Sequence, residues 1–181
     1  MTAASLILVS GAPGAGKTTL ARRLAGELGL PLLSKDDVKE DLAAVLPADG
    51  LERSRELGRA AVTVLYGMAA RLSAAGVPLI LESAFHAGVS ENDLRPLTTG
   101  VHAVSLHCEV DTETAGRRHR ARHGRRHPVH HDAARHVDVT DARWEPPALG
   151  IPSLRIDCRH GYRPGWAEIV RFTGHAPAAS A

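Results

Sequence analysis

Aromatic residues are nearly absent: two each of Trp, Tyr and Phe make up 3% of the chain. A core must therefore be built from Leu, Val, Ile and Ala, and a groove of stacked aromatic rings for single-stranded nucleic acid is poorly supplied. Cysteine is equally scarce. Cys108 and Cys158 do not form a close metal-type pair, and their expected positions at the ends of neighbouring strands favour buried thiols over a disulfide. No apolar run approaches the roughly 18 residues of a membrane span. The first apolar run is too short for a signal peptide and has no basic leader, so a cytoplasmic location is expected. Global charge imbalance is also missing, at a formal net charge of +2. The positive charge is instead local, with Arg117, Arg118, Arg120, Arg122, Arg125, Arg126 and Arg135 crowded into one segment.

What is present suffices for one domain. At 181 residues, with 44% hydrophobic and 23% charged, the chain can close its own core. A single domain over residues 1–173 is expected, with a frayed tail at 174–181. Its organising stretch is Gly11-Ala12-Pro13-Gly14-Ala15-Gly16-Lys17-Thr18, followed by Thr19. It lies between the apolar run Leu6-Ile7-Leu8-Val9 and a helical pattern, which is the strand–loop–helix setting a phosphate loop requires. Glycines let successive backbone N–H groups converge on phosphate oxygens, and the helix turns its positive end to the same point. In such a loop Lys17 reaches the β- and γ-phosphates of ATP and Thr18 offers its hydroxyl to Mg²⁺.

The rest of the chain alternates strands and helices. Leu6–Val9 reads as β1, a helix follows from about Lys17 to Leu28, and Leu32-Leu33 is a brief second strand. Ser34, three places before Asp37, predicts a capped helix running to about Leu46. Residues 52–75 predict a long helix with Leu57, Ala61, Val64, Leu65, Met68 and Leu72 inward. Strands at 77–81, 101–108 and 154–158, a short helix capped by Ser90, a helix from Asp111 to Gly124, a further turn from His130 to His136, and a last helix around Trp166 complete the pattern. Strands separated by helices imply a three-layer α/β domain with a mostly parallel sheet.

Candidate chemistry gathers beyond the strand ends, where ligands bind in such sheets. Asp36 and Asp37 follow the second strand. A phosphoryl transfer to an alcohol needs a carboxylate to take the hydroxyl proton, and Asp36 suits that role better, Asp37 being placed to cap; both could instead serve only the helix terminus. Glu82 ends the third strand, where it can hold Mg²⁺, bond a substrate or anchor the loop of Ser83. His86 lies on the same loop. The guanidinium forks of Arg117, Arg118, Arg122 and Arg126 suit the charge of a transferring phosphoryl group, as part of a lid over about 117–136. His119, His123, His127, His130, His131 and His136 suggest zinc, but the interleaved arginines would repel a dication. After the fifth strand, Arg159 and Tyr162 could flank an adenine ring.

GAPGAGKT at 11–18, SKDDVKEDL at 34–42, LILESAF at 79–85 and RRHRARHGRR at 117–126 together resemble the small P-loop kinases of the AAA_33-type group. That group is similar to the kinase domain of polynucleotide kinase, chloramphenicol phosphotransferase and zeta toxin. The resemblance implies a nucleoside-monophosphate-kinase-type P-loop fold, a five-stranded sheet of order 2-3-1-4-5, and an Arg/His-rich lid. It further implies that Asp36 is the catalytic base, that Lys17 and Thr18 grip ATP·Mg²⁺, and that Arg122 or Arg126 reaches the transferred phosphate. One departure is Glu82, which stands where an aspartate would be expected to hold the metal. The reading is an ATP-dependent kinase acting on a hydroxyl of a small molecule such as a metabolite or antibiotic, as monomer or homodimer. The alternatives are a polynucleotide 5′-hydroxyl kinase and a nucleotide-dependent switch or ATPase. Acidic Glu40, Asp41, Asp49, Glu52 and Glu56 weigh against nucleic acid.

Overall fold

The element order in the computed structural model is β1 (Ser5–Gly11), α1 (Lys17–Leu28), β2 (Leu32–Ser34), α2 (Lys35–Val45), α3 (Leu51–Ala74), β3 (Leu79–Glu82), α4 (Glu91–Thr98), β4 (His102–Glu109), α5 (Thr112–Ala121), β5 (Ser153–Asp157) and α6 (Trp166–Phe172). Short 3₁₀ turns occupy Pro128–His130 and Ala142–Trp144. Residues 5–47, 49–122, 126–131 and 138–176 are described. The expected helical run to Gly124, the expected turn over 130–136 and the frayed tail fall partly outside them.

The five strands run parallel in the order β2-β3-β1-β4-β5, as the resemblance implies. β1 is apolar from Leu6 to Val9, where both of its faces are covered. Ile7 and Val9 join Leu20, Leu24, Ile156 and Ile169 beneath α1 and α6. Leu6 and Leu8 point the other way, to Leu65, Leu81, Leu94 and Leu97 beneath α3 and α4. Each of these leucines is almost fully inaccessible, so truncating one to Ala costs about 2–5 kcal/mol.

Three local expectations are corrected. The buried stripe of α3 is Leu57, Ala61, Leu65 and Ala69, whereas Val64 and Met68 are 40% and 39% exposed. A strict four-residue spacing moves those two side chains onto the flank of the helix. Ser34 does not cap α2: its hydroxyl donates to Glu82 Oε2 at 2.6 Å instead. Ser90 does not cap α4 with its side chain; Glu91 Oε1 accepts from the Gly88 N–H at 2.9 Å, holding the chain just before the helix. Cys108 and Cys158 are buried free thiols, as expected. Among the described residues no helix is long and apolar enough to cross a membrane.

Candidate active site

The loop after β1 is shaped by contacts that only glycine tolerates. Gly11 has φ +133°, and a Cβ there would lie 2.3 Å from the Cys108 carbonyl oxygen. Gly14, at φ +86°, lets α5 approach so closely that a Cβ would stand 2.7 Å from the Ala115 carbonyl oxygen. The loop ends on Gly16 in the left-handed region, and α1 then begins with no side-chain cap and no acid in its first turn. Its first N–H groups keep their donors for an incoming anion. α5 shows the contrast, since its N-terminus is closed by the Asp111 carboxylate accepting from Thr114 N at 2.7 Å.

A cavity of about 540 Å³ opens over this loop, lined among others by Gly14, Lys17, Thr18, Thr19, Arg122 and Tyr162. Lys17 Nζ donates to the Ala12 carbonyl at 3.1 Å. Burial pulls its ammonium below the ordinary lysine range, against the pull of Glu82 and Asp36. A phosphate brought to Lys17 would reverse that direction by favouring the charged form.

Strand register aligns the acidic side of the site. Ser34 of β2 pairs with Glu82 of β3, which in turn pairs with Val9 of β1, so the three strand ends open at one edge. Glu82 is 2% exposed, and burial raises its carboxyl, partly offset by Lys17 and the Ser34 bond. Thr18 Oγ1 donates to Glu82 Oε1 at 3.5 Å. A hydroxyl, a carboxylate and nucleotide phosphate oxygens are the hard donors Mg²⁺ prefers. Among the described residues no group of three or more His, Cys, Asp or Glu is placed to hold a metal ion.

Asp36, in the first turn of α2, is flanked by two cations and an imidazole. Lys35 Nζ is 3.4 Å from Oδ1, Arg126 pairs with Oδ2, and His130 Nδ1 is 3.9 Å from Oδ1. Burial pushes this carboxyl up, but Lys35, Arg126, His130 and Lys17 together hold it down at about 2. It is therefore ionised at neutral pH. Asp37 lies outside this cluster, its exposed carboxylate 3.4 Å from Arg22.

The arginines divide. Arg122, just past the end of α5, lines the cavity and donates to the Arg118 carbonyl at 3.4 Å. Arg126 is on Asp36. Arg118 also lines the cavity, and its fork donates to the carbonyls of Cys158 at 2.7 Å and Arg159 at 3.1 Å, bracing α5 against the loop after β5. Arg117 is turned to Thr114 and Glu113, away from the cavity lining. Arg159 is held by the Asp157 carboxylate at 2.7–3.0 Å and lines a separate cavity of about 380 Å³ beside His107 and Trp144. Tyr162 does reach the nucleotide-sized cavity, and behind it Arg23 stacks on Trp166 at 3.8 Å. His86, on the loop after β3, meets Trp144 edge-on at 5.0 Å, and burial, aided by Arg143 and Lys35, pulls its imidazole below the ordinary range.

Two participants were not legible. Lys39 is the one buried residue of α2, 1% exposed, and its ammonium donates to Ser54 Oγ at 2.7 Å and to the Val129 carbonyl at 3.0 Å. Ser54 Oγ donates to the same carbonyl. This knot ties the 3₁₀ turn Pro128–His130 onto α2 and α3 and delivers Arg126 and His130 to Asp36. A lysine within an apparently polar helix face carries no local sign of such a partner.

Residues 6–147 match a family described as AAA domain, AAA_33. A crystal structure from Chloroflexus aurantiacus, named as a candidate kinase, superposes with TM-score 0.76 at 31% identity, covering 97% of this chain and 100% of that one. The APS kinase CysC of Mycobacterium tuberculosis, solved with AMPPNP and APS, shares the fold at TM-score 0.62 and 15% identity, over 96% of this chain and 99% of that one. Among curated relatives, a cytidylate kinase of Pyrobaculum aerophilum is 49% identical over 47 residues, 26% of either chain. An uncharacterized protein of Mycobacterium tuberculosis is 29% identical over 149 residues, 77% of this chain and 30% of that protein. The chain thus spans between a quarter and a third of the length of these curated relatives.

Proposed function

We propose that this chain, which belongs to the AAA_33 family of AAA domains, is an ATP-dependent phosphotransferase that moves the γ-phosphoryl group to a hydroxyl of a small molecule. The observation that carries this reading is Asp36. Its carboxylate, in the first turn of α2 just past the end of β2, stands at the sheet edge onto which the Lys17 loop opens, paired with Lys35 and Arg126. A switch that only binds nucleotide has no use for a base in that position.

The chain's own residues divide the work. The loop from Gly11 to Gly16 and the first turn of α1, through Thr19, cradle the phosphates, while Lys17 neutralises the β- and γ-oxygens. Thr18 and Glu82 would hold Mg²⁺, which supplies further charge neutralisation at those oxygens. Asp36 accepts the hydroxyl proton as the acceptor oxygen bonds to the γ-phosphorus and the bridge to ADP breaks. Arg126 leaves Asp36 for the transferring phosphoryl group, and Arg122 meets it from the cavity side. Lys35 and His86 orient the acceptor.

The names of neighbouring folds support a small acceptor: a sugar kinase of Janibacter sp. and a gluconokinase of Sinorhizobium meliloti are among them. The test is transfer from γ-labelled ATP·Mg²⁺ across a library of polyols, sugars, antibiotics and 5′-hydroxyl oligonucleotides, with Lys17→Ala in parallel. One labelled small product, absent with the variant, is expected. Labelled oligonucleotide would move the reading to polynucleotide 5′-hydroxyl kinase, and ATP hydrolysis indifferent to every acceptor would overturn transfer altogether.

A further inference from the structure

We infer that His130 is a positioning residue and proton outlet for Asp36, the middle member of a relay that runs from Asp36 through the imidazole to Glu40. This rests on the phosphotransferase reading above, and it adds a residue that reading does not require.

The geometry is specific. His130 is 3% exposed, on a turn whose preceding carbonyl is gripped by Lys39 and Ser54. Its Nε2 lies 2.7 Å from Glu40 Oε1. A carboxylate can only accept, so that nitrogen carries the proton and leaves Nδ1 as an acceptor. Nδ1 faces Asp36 Oδ1 at 3.9 Å, a gap that a shift of about 1 Å closes when ligand tightens the site. Glu40, one turn along α2 from Asp36, has a side chain 37% exposed and so opens the relay to water.

Charge supports the direction of travel. The ionisable groups that act most strongly on the ring are Asp36, Glu40 and Lys39 of α2 and Arg126 of its own segment, while Ser54 of α3 is uncharged and bonds the preceding Val129 carbonyl. Burial, aided by Arg126 and Lys39, pulls the imidazole below its ordinary range against the two carboxylates, so it rests neutral at pH 7. After transfer Asp36 holds the hydroxyl proton. Its O–H bond breaks as Nδ1–H forms, Glu40 stabilises the imidazolium, and the Nε2 proton passes to Glu40 and then to solvent. Asp36 is again a carboxylate and the ring again neutral.

Two measurements on the full chain decide this. In ring ¹⁵N NMR from pH 5 to 9, the signal lost in His130→Gln should show the Nε2–H tautomer. Its titration should move down by about half a unit or more in both Asp36→Asn and Glu40→Gln. No movement in either variant overturns the relay whether or not the protein is a kinase. In transfer from γ-labelled ATP·Mg²⁺ to the best hydroxyl compound of the library, His130→Gln should lower kcat roughly tenfold or more, leave KM for ATP unchanged, and displace the acid limb of the kcat profile. A uniform loss at every pH, or a raised KM for ATP, would make His130 merely structural. If the wild type transfers to no acceptor, the kinase reading fails and the outlet role with it, while the NMR coupling still reports whether the groups interact.

Discussion

The phosphate loop and the wall around Asp36 share one edge of the sheet but are made of different material. The loop is backbone: glycine dihedrals, an uncapped helix start and close approaches to Cys108 and Ala115. The wall is side chains drawn from distant segments, with Ser34 on Glu82, Arg126 on Asp36, His130 on Glu40 and Lys39 on Val129. A backbone site is specified by consecutive residues and fails as a unit. A side-chain site is specified by the fold and can be taken apart bond by bond.

The backbone half should break first and most severely. Gly11→Ala sets a methyl 2.3 Å from a carbonyl oxygen at a φ that L-residues rarely adopt. It should cost roughly 2–4 kcal/mol of stability and abolish ATP binding, read by thermal melting with and without nucleotide. A variant that melts and binds like the wild type would mean that the loop does not need this curl.

The side-chain half should come apart in steps. Lys39→Met removes two charge-assisted bonds and should lower stability by about 1.5–3 kcal/mol, with faster hydrogen exchange at residues 126–131 and ATP affinity retained. Unchanged exchange there would separate this segment from α2. Ser34→Ala removes the buried 2.6 Å bond to Glu82 and should cost about 1–2 kcal/mol while raising the Mg²⁺ concentration needed for half-maximal activity. An unaltered Mg²⁺ dependence would release Glu82 from the metal.

Asp36 adds a pH signature. Its carboxyl is depressed in the folded state, so its contribution to stability is complete above the ordinary carboxylate range near pH 4 and is lost as pH falls through about 2. Acid-unfolding curves of wild type and Asp36→Asn should therefore diverge above pH 4 and converge toward pH 2. The smallest effect is expected at Arg159. Its guanidinium serves Asp157 at the surface, so Arg159→Ala should leave ATP affinity within about twofold.

The same contrast explains what could be read in advance. The parallel sheet, its order, the loop at 11–18 and the place of Asp36 at the start of α2 follow from consecutive residues or from the family resemblance they carry, because apolar runs and glycine spacing are local signals. Ser34 was misassigned for a physical reason: a hydroxyl at a helix start has a local partner by default, and only the pairing of β2 with β3 brings Glu82 within reach. The loop after β5 places Arg159 and Tyr162 as candidates to flank a base; Tyr162 lines the cavity over the phosphate loop, whereas a carboxylate two residues back holds Arg159 elsewhere. Lys39 and the position of His130 depend on a turn that returns from residue 126 onwards to α2, which no periodicity announces.

The central claim is that Asp36 takes the acceptor's proton in a site whose nucleotide half stands without it. The direct measurement pairs ATP·Mg²⁺ binding with phosphoryl transfer for Asp36→Asn. The account predicts ATP affinity within a few-fold of wild type and transfer reduced by about 10²–10⁴. Transfer at the wild-type rate, or loss of ATP binding in step with transfer, would contradict it.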